Sequence, residues 1–117
     1  MKNVLGIMYV LLLCSSTLGN LTEISYSVEH VSGNRWVYHY TVTNLGLTEG
    51  IEEFTIWFEL DKFSSLRNVS DEILEDNWDQ VIWPPNESLG NNGGFDALAV
   101  SEPIRLGESV SGFAVSA

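Results

Sequence analysis

Residues 36–44 read WVYHYTVTN, and this stretch decides the fold. Its large apolar residues recur at every second position, so they fall on one face of an extended chain. They are Trp36, Tyr38, Tyr40 and Val42. Aromatic and β-branched residues are typical of strands, where they pack on a pleated surface. The stretch therefore predicts a β-strand that is buried on its Trp/Tyr face.

The preceding segment repeats this alternation, and Ser-Gly-Asn at 32–34 offers a tight turn between the two. A three-residue loop at 32–34 would place Val31 opposite Arg35. The same register forms three apolar pairs, which are Val28 with Tyr38, Tyr26 with Tyr40, and Ile24 with Val42. A slip by one residue would turn an apolar face outward. We therefore predict an antiparallel hairpin in this register.

Further strands are predicted along the rest of the chain. EEFTIWFEL at 52–60 alternates as clearly as the opening stretch, with Trp57 on its outward parity. Weaker strand signals occur at 65–69, 81–83, 95–100 and 109–115. About seven short strands with frequent turn signals indicate one all-β domain over residues 20–117, an antiparallel two-sheet Ig-like β-sandwich. A jelly roll or a small barrel is the alternative.

The last predicted strand contains a glycine beside a large aromatic residue. Strict alternation places Phe113 and Val115 on the inner face, and Val110 and Ala114 on the other. Gly112 suggests a bulge or the close approach of a neighbouring strand.

The first 19 residues have a different composition from the rest of the chain. Lys2 is followed by the apolar run VLGIMYVLLL at 4–13 and by the small and polar residues CSSTLG at 14–19. This order is typical of a secretory signal peptide, and the run is shorter than the ~20 residues that span a bilayer. We predict cleavage after Gly19 and a secreted or cell-surface protein with no membrane span. A buried N-terminal strand or helix, or lipidation of Cys14, is the alternative.

The chain is strongly acidic, with 5 Lys and Arg against 16 Asp and Glu and a net charge of −11. Nucleic acids and anionic membrane surfaces require basic patches, so neither is expected as a partner. The charge is compatible with solubility outside the cell and with binding of cations.

Several motifs resemble those of one group of exported bacterial proteins. They are W-x-Y-x-Y-x-V-T-N (36–44), I-x-x-F-x-I-x-F (51–58), Trp-Asp (78–79), Pro-Pro (84–85) and G-x-S-x-x-G-F-x-V (107–115). The sequence resembles small secreted β-sandwich proteins that often carry a PEP-CTERM sorting signal. The resemblance implies export and a sandwich fold, and such proteins mostly have no assigned reaction. Their Pro-Glu-Pro sorting tail does not occur within residues 1–117, so membrane sorting is not implied.

Catalytic motifs are not evident. There is no G-x-S-x-G nucleophile motif, and the predicted register places His30 and His39 on opposite faces of the sheet. We therefore expect a non-enzymatic module that interacts with an extracellular protein or polysaccharide.

Five carboxylates lie within nine residues and suggest a Ca²⁺ site, because calcium binds six to eight oxygen ligands. They are Asp71, Glu72, Glu75, Asp76 and Asp79. Their spacing is not that of an EF-hand, and a solvated acidic loop or helical turn is the alternative.

Tryptophan suggests a carbohydrate site, because exposed indole rings stack on sugars. The candidate ligand-binding residues are Trp57, Trp78, Trp83 and the outward-facing His39. The alternatives are that Trp57 packs under a loop or against the second sheet, and that His39 is a solvated strand residue.

Overall fold

The computed structural model describes the backbone of Tyr9–Leu13 and all of residues 21–117. The strands are β1 (Tyr9–Leu13), β2 (Thr22–Ser32), β3 (Arg35–Asn44), β4 (Glu53–Phe58), β5 (Arg67–Asn68), β6 (Trp78–Trp83), β7 (Gly93–Ala99) and β8 (Ser109–Ser116). One 3₁₀ turn, Glu72–Asp76, lies between β5 and β6.

The strands form two antiparallel sheets that pack face to face. The first sheet has the order β1-β4-β7-β6, and the second has the order β2-β3-β8-β5. The prediction of an antiparallel β-sandwich is thus confirmed, and strands β2 to β8 all lie within the predicted domain.

The predicted signal peptide, residues 1–19, lies outside the described residues except for the backbone of β1. This strand pairs with β4 at the edge of the first sheet, with Leu11 opposite Thr55. Removal of the segment as a signal peptide would leave β4 as an edge strand.

The hairpin register predicted from parity is confirmed, but the predicted loop is wrong. Tyr26 lies opposite Tyr40, as expected. Ser32 pairs with Arg35, so the turn is two residues long and the register shifts at Val31. Val31 becomes the extra residue of a bulge and points to solvent, instead of facing Arg35. Gly33 adopts φ +48° in the turn, a conformation that glycine takes without a steric penalty.

The core is built from aromatic side chains of both sheets. Tyr40 on β3 is only 2% exposed, which confirms its predicted position on the buried face. Phe113 on β8 contacts Phe54 on β4 edge to face, with ring centroids 4.9 Å apart. Trp78 on β6 contacts the same Phe113 ring at 5.3 Å. The two sheets are therefore joined through interlocking rings, which fix their relative position.

A bulge in β8 changes which residues face this core. The register shifts at Gly112, which has φ +101°, so the bulge predicted there is confirmed. Phe113 is fully buried, as predicted, and it lies opposite Tyr40. Val110 lies opposite Val42 and packs against the core, so its predicted outward face is wrong. The extra residue reverses the parity between Val110 and Phe113 and brings both to the same face.

The strand of the opening stretch ends at a buried asparagine. Asn44 is fully buried, and its side chain bonds to the backbone of the 44–47 turn and of Ile104. The amide thus joins two loops at one end of the sandwich.

Candidate functional site

Two tryptophans meet on the outer face of the first sheet. Trp57 on β4 and Trp83 on β6 both lie opposite Gly94 on β7, so the three residues form one row across the sheet. The indole centroids are 5.9 Å apart and the ring planes differ by 20°. A Cβ at Gly94 would lie 2.7 Å from Trp83 Cε3 and 3.3 Å from Trp57 Cε3. Glycine at this position therefore allows the two rings to close over the strand between them.

A cleft of about 820 Å³ opens beside the rings, and we call it the aromatic cleft. It is lined by Trp57, Trp83, Pro84, Asn86, Gly90, Asn91 and Asn92. Its wall is the loop between β6 and β7, which is closed by two backbone hydrogen bonds of 3.0 Å between Asn86 and Asn91. Pro84 ends β6 by removing a backbone donor, and Gly90 at φ +67° completes the turn. The local sequence thus builds a shaped loop next to an aromatic platform.

Two further side chains of the loop are held by backbone donors. The Leu89 N–H donates to Asn86 Oδ1 at 3.2 Å. The Leu60 N–H donates to Asn92 Oδ1 at 3.0 Å and ties the loop to the end of β4. These bonds position both amide groups at the cleft.

A polar row lies next to the tryptophan row on the same sheet face. Thr55 Oγ1 donates to Asp96 Oδ1 at 2.6 Å, and both residues are buried. A hydrogen bond with Asp96, followed by burial and by repulsion from that carboxylate, raises the pKa of Glu53. A folded-state pKa above the unfolded value means that protonated Glu53 favours folding at low pH. The contribution is lost as the pH rises through the folded-state pKa.

Of the four predicted ligand-binding residues, the structure brings together Trp57 and Trp83. Trp78 is 5% exposed within the aromatic core, so the expectation that its ring is exposed for a sugar is wrong. It is the first residue of β6, and its parity is opposite to that of Trp83. His39 lies on the second sheet, where its Nε2 is 3.1 Å from Glu29 Oε1 on the neighbouring strand. It is not part of the aromatic cleft.

The sequence predicts a loop over 86–94 and does not assign its asparagines or Gly94 to a site; the structure begins β7 at Gly93, so the loop prediction is wrong for Gly93 and Gly94. The run NESLGNNGG at 86–94 indicates only a loop by composition. The available signal was Gly94, directly before the predicted strand at 95–100, since glycines in strands often mark the close approach of another group.

The five carboxylates of the acidic segment are spread over different elements. Glu72, Glu75 and Asp76 belong to the 3₁₀ turn, and Asp79 belongs to β6. Asp71 precedes the turn and lies against Gly112. Within residues 21–117, no three Asp, Glu, His or Cys side chains come together as metal ligands would.

Calcium binding by this segment stays a prediction of the sequence. If it occurs, millimolar Ca²⁺ will raise the melting temperature by mass action, and Asp76→Asn with Asp79→Asn will remove the rise. Equal melting temperatures with calcium and with a chelator would contradict it.

Fold and site together define an all-β sandwich with an exposed aromatic cleft on one sheet. Comparison with known protein families, with curated proteins and with solved structures found no match to this chain. In the described part of the chain, no helix has the length and apolar character needed to cross a membrane.

Proposed function

We propose that this chain is an exported, non-enzymatic interaction module that binds polysaccharide through the aromatic cleft. The observation that carries the proposal is the pair of nearly parallel indole rings, Trp57 and Trp83, set beside a loop of asparagines. Sugar rings present C–H faces that pack on aromatic rings, and amide groups hydrogen-bond their oxygens. The cleft offers both kinds of group side by side.

The exposure of the rings supports a binding role. Trp83 points away from the aromatic core and is 43% exposed on the outer face of the first sheet. Val81 and Leu98 on the same face are 41% and 40% exposed, so further apolar side chains lie on this face beyond the cleft. Exposed apolar side chains that cluster on one face often mark interaction sites on soluble proteins.

The exposed apolar side chains on this face beyond the cleft favour a protein partner as the second candidate. Val81 and Leu98 contribute apolar area without amide groups, which suits a protein interface better than a sugar. Loss of binding after Val81→Ala and Leu98→Ala, with Trp83 intact, would indicate the protein partner.

The carboxyl pair on this face does not have the geometry of a glycosidase. The pKa of Glu53 is raised chiefly by hydrogen bonding with Asp96, which indicates that the two carboxyl groups lie close together. The two acids of glycosidases stand about 5 Å or more apart, because a sugar bond lies between them. This supports binding without hydrolysis.

Export is proposed on two grounds, the composition of residues 1–19 and the resemblance to secreted bacterial sandwich proteins. A place outside the cell or at its surface would bring the aromatic cleft into contact with extracellular polysaccharide.

We predict that Trp83→Ala weakens polysaccharide binding by about tenfold or more, as expected for an aromatic anchor at a binding site. More than half of the side chain is buried against Trp57 and Gly94, so the melting temperature should also fall, and the affinity is measured at a temperature where the variant is folded. The measurement is tryptophan fluorescence titration against a panel of soluble polysaccharides. Trp36→Phe, on the second sheet, is the matched control. Equal affinities of Trp83→Ala and the unmodified chain would overturn the proposal, as would failure of the whole panel to bind.

A further inference from the structure

At the aromatic cleft, the hydrogen bonds that Asn86 and Asn92 accept determine which way their side-chain amide groups point. Asn86 and Asn92 each receive a backbone N–H, and only the oxygen of an amide can accept it. The Nδ2 groups of both residues have no hydrogen-bond partner within residues 21–117. Each of these two residues therefore offers a ligand a positioned and unused donor, Nδ2, while its oxygen already accepts one hydrogen bond.

The cleft carries no charge to attract an ionic ligand. Among residues 21–117, the seven that line it are tryptophan, proline, glycine and asparagine. Cationic groups lie elsewhere, with Lys62 Nζ 3.6 Å from Glu59 and Arg35 bonded to the Ser65 carbonyl. The net charge of −11 also repels polyanions. A neutral ligand is therefore favoured over a uronic acid or sulfated polymer.

We infer that the aromatic cleft recognises a neutral glycan of N-acetylated sugars, an inference that rests on the proposed polysaccharide-binding function. An acetamido group presents a carbonyl oxygen, which only accepts hydrogen bonds, next to a methyl group. The carbonyl matches the Nδ2 donors of Asn86 and Asn92, and the methyl matches the indole rings. Asn91 has no side-chain partner in the described chain, so its oxygen is open to the acetamido N–H. A sugar hydroxyl would also satisfy the donors, but only the acetamido group adds a methyl group to the C–H faces that every sugar ring brings to the indoles.

A matched pair of oligosaccharides tests the ligand class. One is a β-1,4-linked oligomer of N-acetylglucosamine, and the other is a β-1,4-linked glucose oligomer of equal length, so they differ only at C2. Calorimetric titration is expected to give at least about tenfold tighter binding of the acetylated oligomer, corresponding to one well-placed polar group and its apolar neighbour. Polygalacturonate serves as the anionic probe and is expected not to bind.

The outcomes separate this inference from the function on which it rests. Equal or tighter binding of the glucose oligomer, abolished by Trp83→Ala, would overturn the acetamido inference and leave polysaccharide binding intact. Tighter binding of polygalacturonate would overturn the neutral-ligand inference in the same way. If none of the three binds and no member of the wider panel binds, both proposals fail.

Two isosteric variants test the donors directly. Asn86→Asp and Asn92→Asp keep the oxygen that accepts from Leu89 or Leu60 and remove the amide donor. Each should weaken binding of the acetylated oligomer by about three- to tenfold, the effect of one hydrogen bond, with an unchanged melting temperature. Asn34→Asp, in the turn of the second sheet, is the control for the added charge. Full affinity of both cleft variants would overturn the inference.

Discussion

Replacing Phe113 with alanine is expected to lower the free energy of unfolding by about 3–5 kcal/mol, the range for buried Phe-to-Ala changes. The ring is fully buried on β8. It contacts Phe54 at 4.9 Å and Trp78 at 5.3 Å, and both belong to the opposite sheet. Its loss would leave a cavity at the contact between the sheets, where rigid rings cannot collapse to fill it.

Urea unfolding followed by tryptophan fluorescence would measure this effect. Leu89→Ala is the control, because that side chain is 69% exposed and its loss should change stability by no more than about 0.5 kcal/mol. A loss below about 1 kcal/mol for Phe113→Ala would show that the two sheets do not depend on this ring.

The hairpin and the sandwich were predictable because a strand alternates with a period of two. Once Tyr26 and Tyr40 were placed on one face, the register followed, since any slip by one residue exposes the ring. The bulges were harder to place. The predicted loop length places Val31 and strict parity places Val110, and an inserted residue changes the environment of each.

Trp78 shows why composition misleads near a strand end. The residues DEILEDNWD at 71–79 are acidic and polar, which favours a loop or a helical turn that includes Trp78. The structure begins β6 at Trp78, whose side chain enters the core, while Val81 and Trp83 point outward. Apolar residues occupy both faces of this strand, and alternation alone could not identify the inner one.

The aromatic cleft forms because β4, which is far from β6 and β7 in the sequence, is a neighbour of β7 in the sheet. The outward parity of Trp57 was visible in the chain. Its meeting with Trp83 requires β7 to lie between β4 and β6, and Gly94 to lie between the rings. The sequence gives no direct signal of strand order, so the tryptophans could be proposed as candidates but not as one site.

Asn44→Asp is expected to destabilise the protein by at least about 3 kcal/mol at neutral pH, because it places an uncompensated charge among buried carbonyls. Asn44 Nδ2 donates to the carbonyls of Leu47 at 2.8 Å and Ile104 at 2.9 Å. Its Oδ1 accepts from the N–H of Gly46 and Leu47. A carboxylate keeps the two acceptor bonds but points its second oxygen at two other oxygens.

The loss of stability caused by Asn44→Asp should grow as the pH rises. Burial beside carbonyls raises the pKa of the introduced carboxyl in the folded state above its unfolded value of about 4. The variant should therefore approach the unmodified chain at low pH and lose stability as the pH rises from about 4 to the folded-state pKa. Stability is compared with that of the unmodified chain at each pH, which cancels the titration of the other carboxylates. Asn34→Asp, on the exposed hairpin turn, should show a small difference at every pH. An equally small difference for Asn44→Asp would mean that the asparagine ending WVYHYTVTN does not hold the two loops together.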